Sequence, residues 1–338
     1  MNVIIGCEAA NEYAGQLARS LSQHRKIDSA EDSLIKFWRQ PSNMDVVHIQ
    51  WPEALFDWSS PSPWELAWLE DRLDRWSSAA VIITTVHNYE PHTLDGCEEL
   101  YEMVYEKSDG FVHLGEASRR FFFDQYPFAP GKHHAIIPHG NYTCFPNHVT
   151  SDDARNRLGL GQDDVVCLCF GSVRHPEERN LLIEAFDQFE ARRKKLLIAG
   201  RLPPPPRHTL LYWRIKCDPR LLIQSGWIPD EDVQLYFNAA DIVVIPRKGK
   251  LNSGNVALGF TFGCAVVGPN EGVIGEVLRK TGNPVYEPGN PLALSEALEE
   301  AVGIKSKLGE RNRRYALDCM RWENVASDHA DLYGTVLD

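Results

Sequence analysis

Short apolar runs alternate with amphipathic stretches along the whole chain, and no other feature restricts its possible folds so tightly. Residues 3–7, 46–49, 81–86, 110–114 and 135–137 have the length and continuous hydrophobicity of strands buried on both faces. Between them, residues 13–23, 62–79 and 98–107 carry apolar side chains at helical spacing. Strand, helix, strand wiring implies a parallel sheet. The pattern pauses over the polar, turn-rich residues 142–164, where a short helical piece is predicted near 152–158. It restarts with 165–170, 195–199, 221–224, 242–245, 265–268 and 284–286. Two doubly wound α/β domains in series follow, and a ligand is expected in a central cleft they face, at the carboxyl ends of strands. The run Pro203-Pro204-Pro205-Pro206 reads as a surface loop of the second domain, since it can enter neither a helix nor an inner strand.

A chain of 338 residues has room for two such domains. The boundaries are placed at 1–148 and 149–320, with 321–338 as a terminal segment. The formal net charge of -12 has the wrong sign for a partner held by phosphate neutralisation, so nucleic acid is excluded. That charge is concentrated: residues 1–148 carry 11 Lys and Arg against 21 Asp and Glu, and 149–338 carry 24 against 26. An anionic ligand is therefore expected on the second half. The N-terminal apolar run is too short for a signal peptide, and no run reaches membrane-spanning length, so a cytoplasmic location is expected. Eight cysteines lack any Cys-x-x-Cys spacing. They read as buried thiols rather than disulfides or a metal site.

Two segments of the second half suit an anion. Phe170-Gly171-Ser172-Val173-Arg174 closes a buried strand on a glycine before a helix expected over 181–189, whose free N–H groups would face a phosphate beside Arg174. Pro246-Arg247-Lys248-Gly249-Lys250-Leu251-Asn252-Ser253-Gly254-Asn255 places three cations before a helix over 256–262, with Asn252 or Ser253 as its N-cap and Gly254 admitting a ligand to the backbone. A surface arginine near an ordinary strand end is the plainer reading of the first, and a solvated basic loop that of the second. In the first half, His48-Ile49-Gln50-Trp51-Pro52-Glu53 and Thr85-Val86-His87-Asn88-Tyr89-Glu90-Pro91-His92 put His and Glu just past buried strands. The proline and spacing of the second do not match a zinc helix, and no metal is expected.

These segments, with Asn11-Glu12-Tyr13, Ile137-Pro138-His139-Gly140-Asn141-Tyr142, Gly226-Trp227-Ile228-Pro229-Asp230, Ala239-Ala240-Asp241 and Trp322-Glu323, resemble in order a group of bacterial glycosyltransferases. They look like family-4-like (group 1) enzymes of the glycosyltransferase-B fold, which use nucleotide-diphosphate sugars. The resemblance implies that the second domain binds the sugar nucleotide and the first the acceptor. It also implies that 321–338 is a helix crossing back onto the first domain. Gly171, Arg174, Arg179, Trp227, Ile228, Lys248, Asn252, Ser253, Gly254, Asn255 and Glu276 would then surround the nucleotide sugar. Asn11, Tyr13 and His139 would line the acceptor side, and His87 would sit beside the transferred sugar.

Two departures qualify the resemblance. Glu177 stands where relatives carry a lysine after the arginine, and Arg179, Lys248 or Lys250 is left to supply the missing charge. Lys250 and Leu258 replace two glutamates eight positions apart, so donor sugar and stereochemistry do not carry over. An inverting reaction would need a base, for which Glu8, Glu53, His87 and Glu90 are the strand-end candidates. The expected function is transfer of a sugar from a UDP- or GDP-sugar to a saccharide or lipid-linked saccharide, without a metal or other cofactor. An epimerase-like enzyme of the same fold and an inactive sugar-nucleotide-binding subunit remain as alternatives. Trp64 and Trp68 share a helix face and are read as core, with docking of a lipid-linked acceptor as the sharper alternative. In that alternative, Arg119-Arg120-Phe121-Phe122-Phe123 would be a basic and aromatic step toward an inner membrane surface.

Overall fold

A computed structural model describes residues 1–7, 12–40, 42–88, 97–249 and 251–338. Glu8, Asn11, Glu90, His92 and Lys250, all singled out above, lie outside the described residues. The contacts divide the chain into one unit of Met1–Gly140 with Cys319–Asp338 and another of Asn141–Asp318.

In the first unit the strands are β1 (Asn2–Gly6), β2 (Ser29–Asp32), β3 (Val46–Ile49), β4 (Val81–Val86), β5 (Gly110–His113) and β6 (His133–Ile136). The helices are α1 (Glu12–Leu21), α2 (Leu34–Arg39), α3 (Pro63–Ser77), α4 (Glu98–Lys107) and α5 (Glu116–Gln125), with a 3-10 turn at Pro52–Phe56. Every strand pairing is parallel and the order is β2-β1-β3-β4-β5-β6. That order reverses direction between β1 and β3, where the loops leaving neighbouring strands diverge and open a crevice. β2 escapes the apolar pattern because Ser29–Asp32 is a polar edge strand with no buried residue.

The second unit contains α6 (Ser151–Leu158), β7 (Val165–Phe170), α7 (Pro176–Gln188), β8 (Lys194–Ala199), α8 (Leu210–Cys217), β9 (Leu221–Gln224) and α9 (Asp230–Ala239). It continues with β10 (Ile242–Val244), α10 (Gly254–Phe262), β11 (Ala265–Pro269), α11 (Gly272–Lys280), β12 (Val285–Tyr286) and α12 (Pro291–Cys319). Its parallel sheet runs β12-β11-β10-β7-β8-β9, the strand order of a dinucleotide-binding fold, with the reversal between β7 and β10. One face packs Cys167, Cys169, Leu196, Ile198, Val244 and Val267 against Leu182, Phe186 and Phe189 of α7 and its end. Burial pushes the Cys167 and Cys169 thiols up to about 12, so both stay protonated. The cysteines are all free thiols, and Cys144, Cys217 and Cys319 are exposed rather than buried.

The stretch after Gly140 belongs to the second unit because its backbone is tied there. Tyr142 N donates to Thr261 Oγ1 at 3.0 Å, and the amides of His148 and Val149 share Gln234 Oε1. The terminal helix α13 (Trp322–Leu337) packs on α1, β4 and β6 of the first unit. Trp322 anchors it, lying so close over Gly140 that a Cβ there would stand 2.3 Å from the indole.

One expectation about aromatic residues is overturned. α3 turns Leu66, Leu69, Leu73 and Trp76 to the core, which leaves Trp64 67% and Trp68 46% exposed. The helix has two apolar stripes, and the leucine stripe has the greater apolar length to bury. In α5, Phe122 is wholly buried and Phe123 packs edge-on against His134, 4.7 Å between centroids. Arg119 pairs with Glu116. Of that helix only Ser118 and Phe122 are buried, while Arg120 is exposed and Arg119, Phe121 and Phe123 are half-buried.

Candidate functional site

At the β1/β3 switch point of the first unit, His87 lies one residue beyond β4 and is 7% exposed. Trp51, just past β3, stacks on its ring at 4.0 Å and 18°. Tyr13 of α1 meets His87 edge-on at 5.2 Å and also touches His139 at 4.8 Å and Trp322 at 5.4 Å. The result is an aromatic box drawn from five segments far apart in sequence.

One buried chain of hydrogen bonds holds His87. Its Nε2 lies 2.9 Å from Gln50 Oε1, Gln50 Nε2 lies 3.2 Å from His48 Nε2, and His48 Nδ1 lies 2.6 Å from the Tyr333 hydroxyl. A carbonyl oxygen only accepts, so His87 donates through Nε2 and Nδ1 is its basic nitrogen. The amide end of Gln50 then donates to His48 Nε2, which also lies 2.8 Å from Thr85 Oγ1. Burial, with lesser contributions from His329 and His87, holds the His48 pKa well below its usual value, and the relay stays uncharged. His139 donates from Nδ1 to the Gly140 carbonyl at 2.6 Å, and burial brings its pKa down to about 4.

Glu53 occupies the 3-10 turn after β3 and is 1% exposed. The Tyr101 hydroxyl donates to its Oε2 at 2.5 Å, and Asn88 also hydrogen-bonds Tyr101. Burial first, then the Glu53 charge, pushes the Tyr101 pKa well up, so the phenol remains the donor and the carboxylate the acceptor. The structure thus joins Glu53 to Tyr101, and His87 to Gln50 and Trp51.

At the β7/β10 switch point of the second unit, Gly171 turns the chain with φ of 83°. The approach to β8 is so close that a Cβ on Gly200 would stand 2.1 Å from the Gly171 carbonyl oxygen. α7 begins at Pro176, one turn earlier than the apolar pattern implies, because proline at the first helical position carries no orphan N–H. Its first turn contains Glu177 and Glu178. Glu177 is exposed, whereas Glu178 is 4% exposed and organises the loop. Glu178 Oε2 accepts from the Arg174 amide at 2.8 Å and from Arg247 at 2.7 Å, and Arg247 also donates to the Ser172 carbonyl at 2.6 Å. A buried, hydrogen-bonded ion pair thus ties the loop after β7 to the loop after β10.

Arg247 is the cation of this pair of loops that sequence reasoning passed over. Its signal was present, as the first of three basic residues after β10, but Lys248 and Arg179 were favoured. Arg179 is 5% exposed and spends its guanidinium on the Pro203 carbonyl and Asn180 Oδ1, bracing the proline loop. Lys248 is exposed. Ser253, rather than Asn252, is the N-cap of α10, and Asn255 Nδ2 donates to the Phe170 carbonyl at 2.7 Å. Gly254 opens the helix under the Tyr142 hydroxyl, which would lie 3.0 Å from a Cβ at that position. Gly226 has φ of 109°, Trp227 is 85% exposed, and Ile228 is buried. Glu276 is half-buried on α11. Among the described residues, no three His, Cys, Asp or Glu side chains gather where they could hold a metal ion.

Comparison with known proteins accords with this geometry. Residues 164–303, which span β7 to the first part of α12, match the family model "Glycosyl transferases group 1". The GDP-mannose:glycolipid 4-beta-D-mannosyltransferase of Xanthomonas campestris pv. campestris is 23% identical over 242 residues, covering 68% of this chain. The match spans 62% of that relative's length. Among solved structures, HepE of Anabaena in complex with UDP-glucose superposes with a TM-score of 0.74 at 11% identity, covering 99% of this chain and 100% of that one. The sucrose-phosphate synthase of Thermosynechococcus elongatus gives 0.69 at 15% identity, covering 99% and 98%. The chain has the glycosyltransferase-B fold, and its residues 164–303 resemble a group 1 glycosyltransferase domain.

Proposed function

We propose that the chain is a nucleotide-sugar-dependent glycosyltransferase: the unit 141–318 holds a nucleotide-diphosphate sugar and the unit containing residues 1–140 holds a saccharide or lipid-linked saccharide acceptor. The observation that carries this reading is the β7/β10 switch point. There Arg174, Arg247 and Lys248 surround loops that lead to the N-terminus of α10, all inside the segment matching group 1 glycosyltransferases. As the bond between the sugar and the β-phosphate breaks, negative charge grows on the leaving nucleoside diphosphate. The amides opening α10 and the guanidinium of Arg174 suit that charge, and Glu178 keeps Arg247 in one place beforehand. His87 suits the acceptor hydroxyl: its Nδ1 is the basic nitrogen, and a rigid neutral relay fixes the ring. Glu53, already bonded to Tyr101, shapes the pocket around it. A relative that acts on a glycolipid supports an acceptor of the lipid-linked kind. Among the described residues no helix is long and apolar enough to cross a membrane.

Thermal-shift measurements with UDP-, GDP- and ADP-sugars test the donor half. One nucleotide series should raise the melting temperature by mass action. Arg174→Ala should weaken that nucleotide by about tenfold or more, the loss of a charge-assisted contact. Silence from every nucleotide overturns the reading. Product analysis with the bound donor and a sugar acceptor then separates transfer from epimerisation, hydrolysis and binding alone.

A further inference from the structure

An open groove of about 500 Å³ lies on the first unit between α2, the 3-10 turn and the start of α3, and neither half of the proposed reaction uses it. Its wall is an aromatic stack: Trp38 and Trp68 lie parallel at 4.4 Å and 16°, and Phe56 meets Trp38 at 5.7 Å. The Trp38 indole N–H donates to the Leu55 carbonyl at 3.3 Å, which fixes the inner ring. The rim is polar, formed by Arg39, Asp57 and Glu65. Trp64 stands on α3 one turn before Trp68, about 5–6 Å away along the same face, roughly the length of one pyranose ring.

Backbone strain gathers at the same place. Among the described residues, four that are not glycine have positive φ, and three of them flank this groove: Gln40 at 53° and Asp57 at 52°, which cap the ends of α2 and the 3-10 turn, and Trp58 at 60°. Two consecutive left-handed residues are held only where surrounding structure over-determines them, a recurrent property of binding surfaces. Here they project Asp57 and the 39%-exposed Trp58 outward. Trp58 in turn lies 5.8 Å from Trp51, the ring stacked on His87, so aromatic surface runs from the His87 centre toward the groove.

Charge selects the occupant. The first unit carries 12 Lys and Arg against 25 Asp and Glu, a net of -13, and two of the three charged rim residues are acidic. Such a surface repels anionic lipid headgroups and phosphates. Aromatic faces flanked by carboxylates and a guanidinium suit a neutral molecule with C–H faces and vicinal hydroxyls. We propose that the groove is a saccharide subsite: it holds neutral glycan of the acceptor beyond the sugar being extended, with Trp68 and Trp64 as platforms and Arg39, Asp57 and Glu65 as hydroxyl partners. This rests on the acceptor assignment in the preceding subsection.

The indole N–H signals of the full chain, followed by NMR, test the subsite. The titrants are maltotetraose, cellotetraose, laminaritetraose, mannotetraose and vesicles of phosphatidylethanolamine with phosphatidylglycerol. At least one tetrasaccharide should shift the Trp64 and Trp68 signals. Trp68→Ala should weaken that tetrasaccharide by about tenfold. Trp64→Ala, at a side chain too exposed to matter for folding, should also weaken it. Failure of all four sugars, undiminished binding in both variants, or a response to the vesicles alone each overturns the proposal. Nucleotide-sugar thermal shifts on the same samples keep the two readings apart. Donor binding without a tetrasaccharide response removes only the subsite, whereas loss of donor binding in the native chain removes the transferase reading.

Discussion

Gln50 decides what His87 can do. Its amide bridges two histidine rings in one buried line that ends on Tyr333, and that line fixes which nitrogen of His87 carries the proton. A positioning role of this kind is separable from a structural one by kinetics. Gln50→Leu should lower kcat by about 100-fold, the effect of a misplaced reacting group, with KM changed far less. A proportional loss of kcat and folded protein, with normal kcat per folded molecule, would show that Gln50 only packs. Sequence placed His87 and Gln50 past buried strands, because strand ends are local features. It left the cation that meets Glu178 undetermined, since Glu178 and Arg247 are 69 residues apart and only the sheet order makes them neighbours.

At the scale of elements, the loop after β7 keeps its shape because β8 presents no side chain to it. Gly200 has φ of 138° and faces the Gly171 carbonyl directly. Gly200→Ala should destabilise the second unit by about 3 kcal/mol or more, combining backbone strain with a clash that no side-chain rotation relieves. Urea unfolding followed by hydrogen exchange in β7 and β8 would measure it, and a change below ~1 kcal/mol would mean the two strands can part without loss. The strands were largely legible: β3, β4, β7 and β9 begin and end where the apolar runs do. The helices were less so. α3 carries both a leucine stripe and a tryptophan pair at helical spacing, and periodicity cannot say which faces inward when both are apolar. α2 and α8 are six and eight residues long, too short for a periodic signal.

For the molecule as a whole, acid should act on one unit before the other. Five histidines have pKa values held down chiefly by burial: His48, His113 at about 3, His134, His139 at about 4 and His329 at about 4. All five belong to the first unit. His134 donates Nε2–H to the Ala129 carbonyl and therefore accepts at Nδ1 from His113, so both rings are built into the fold in the neutral form. Above the unfolded value of about 6.5 neither state binds these protons and their stability contribution is complete. As pH falls below about 6.5 the unfolded chain takes them up and the folded one does not, so this contribution to stability is lost progressively as the pH drops. Between pH 7 and pH 5, hydrogen-exchange protection, taken relative to the intrinsic rate at each pH, should therefore fall in β3, β5 and α13 well before β7 and β10. Equal loss of protection in both units would refute this. By itself, the sequence determined two parallel α/β units, an acidic first and a balanced second, with chemistry at strand ends, because strand apolarity, turn residues and charge are written locally. Only the tertiary structure decided which arginine meets the loop carboxylate, which tryptophans face solvent and which nitrogen of His87 is basic. Each of those depends on side chains brought together by strand order and helix rotation, which no local pattern specifies.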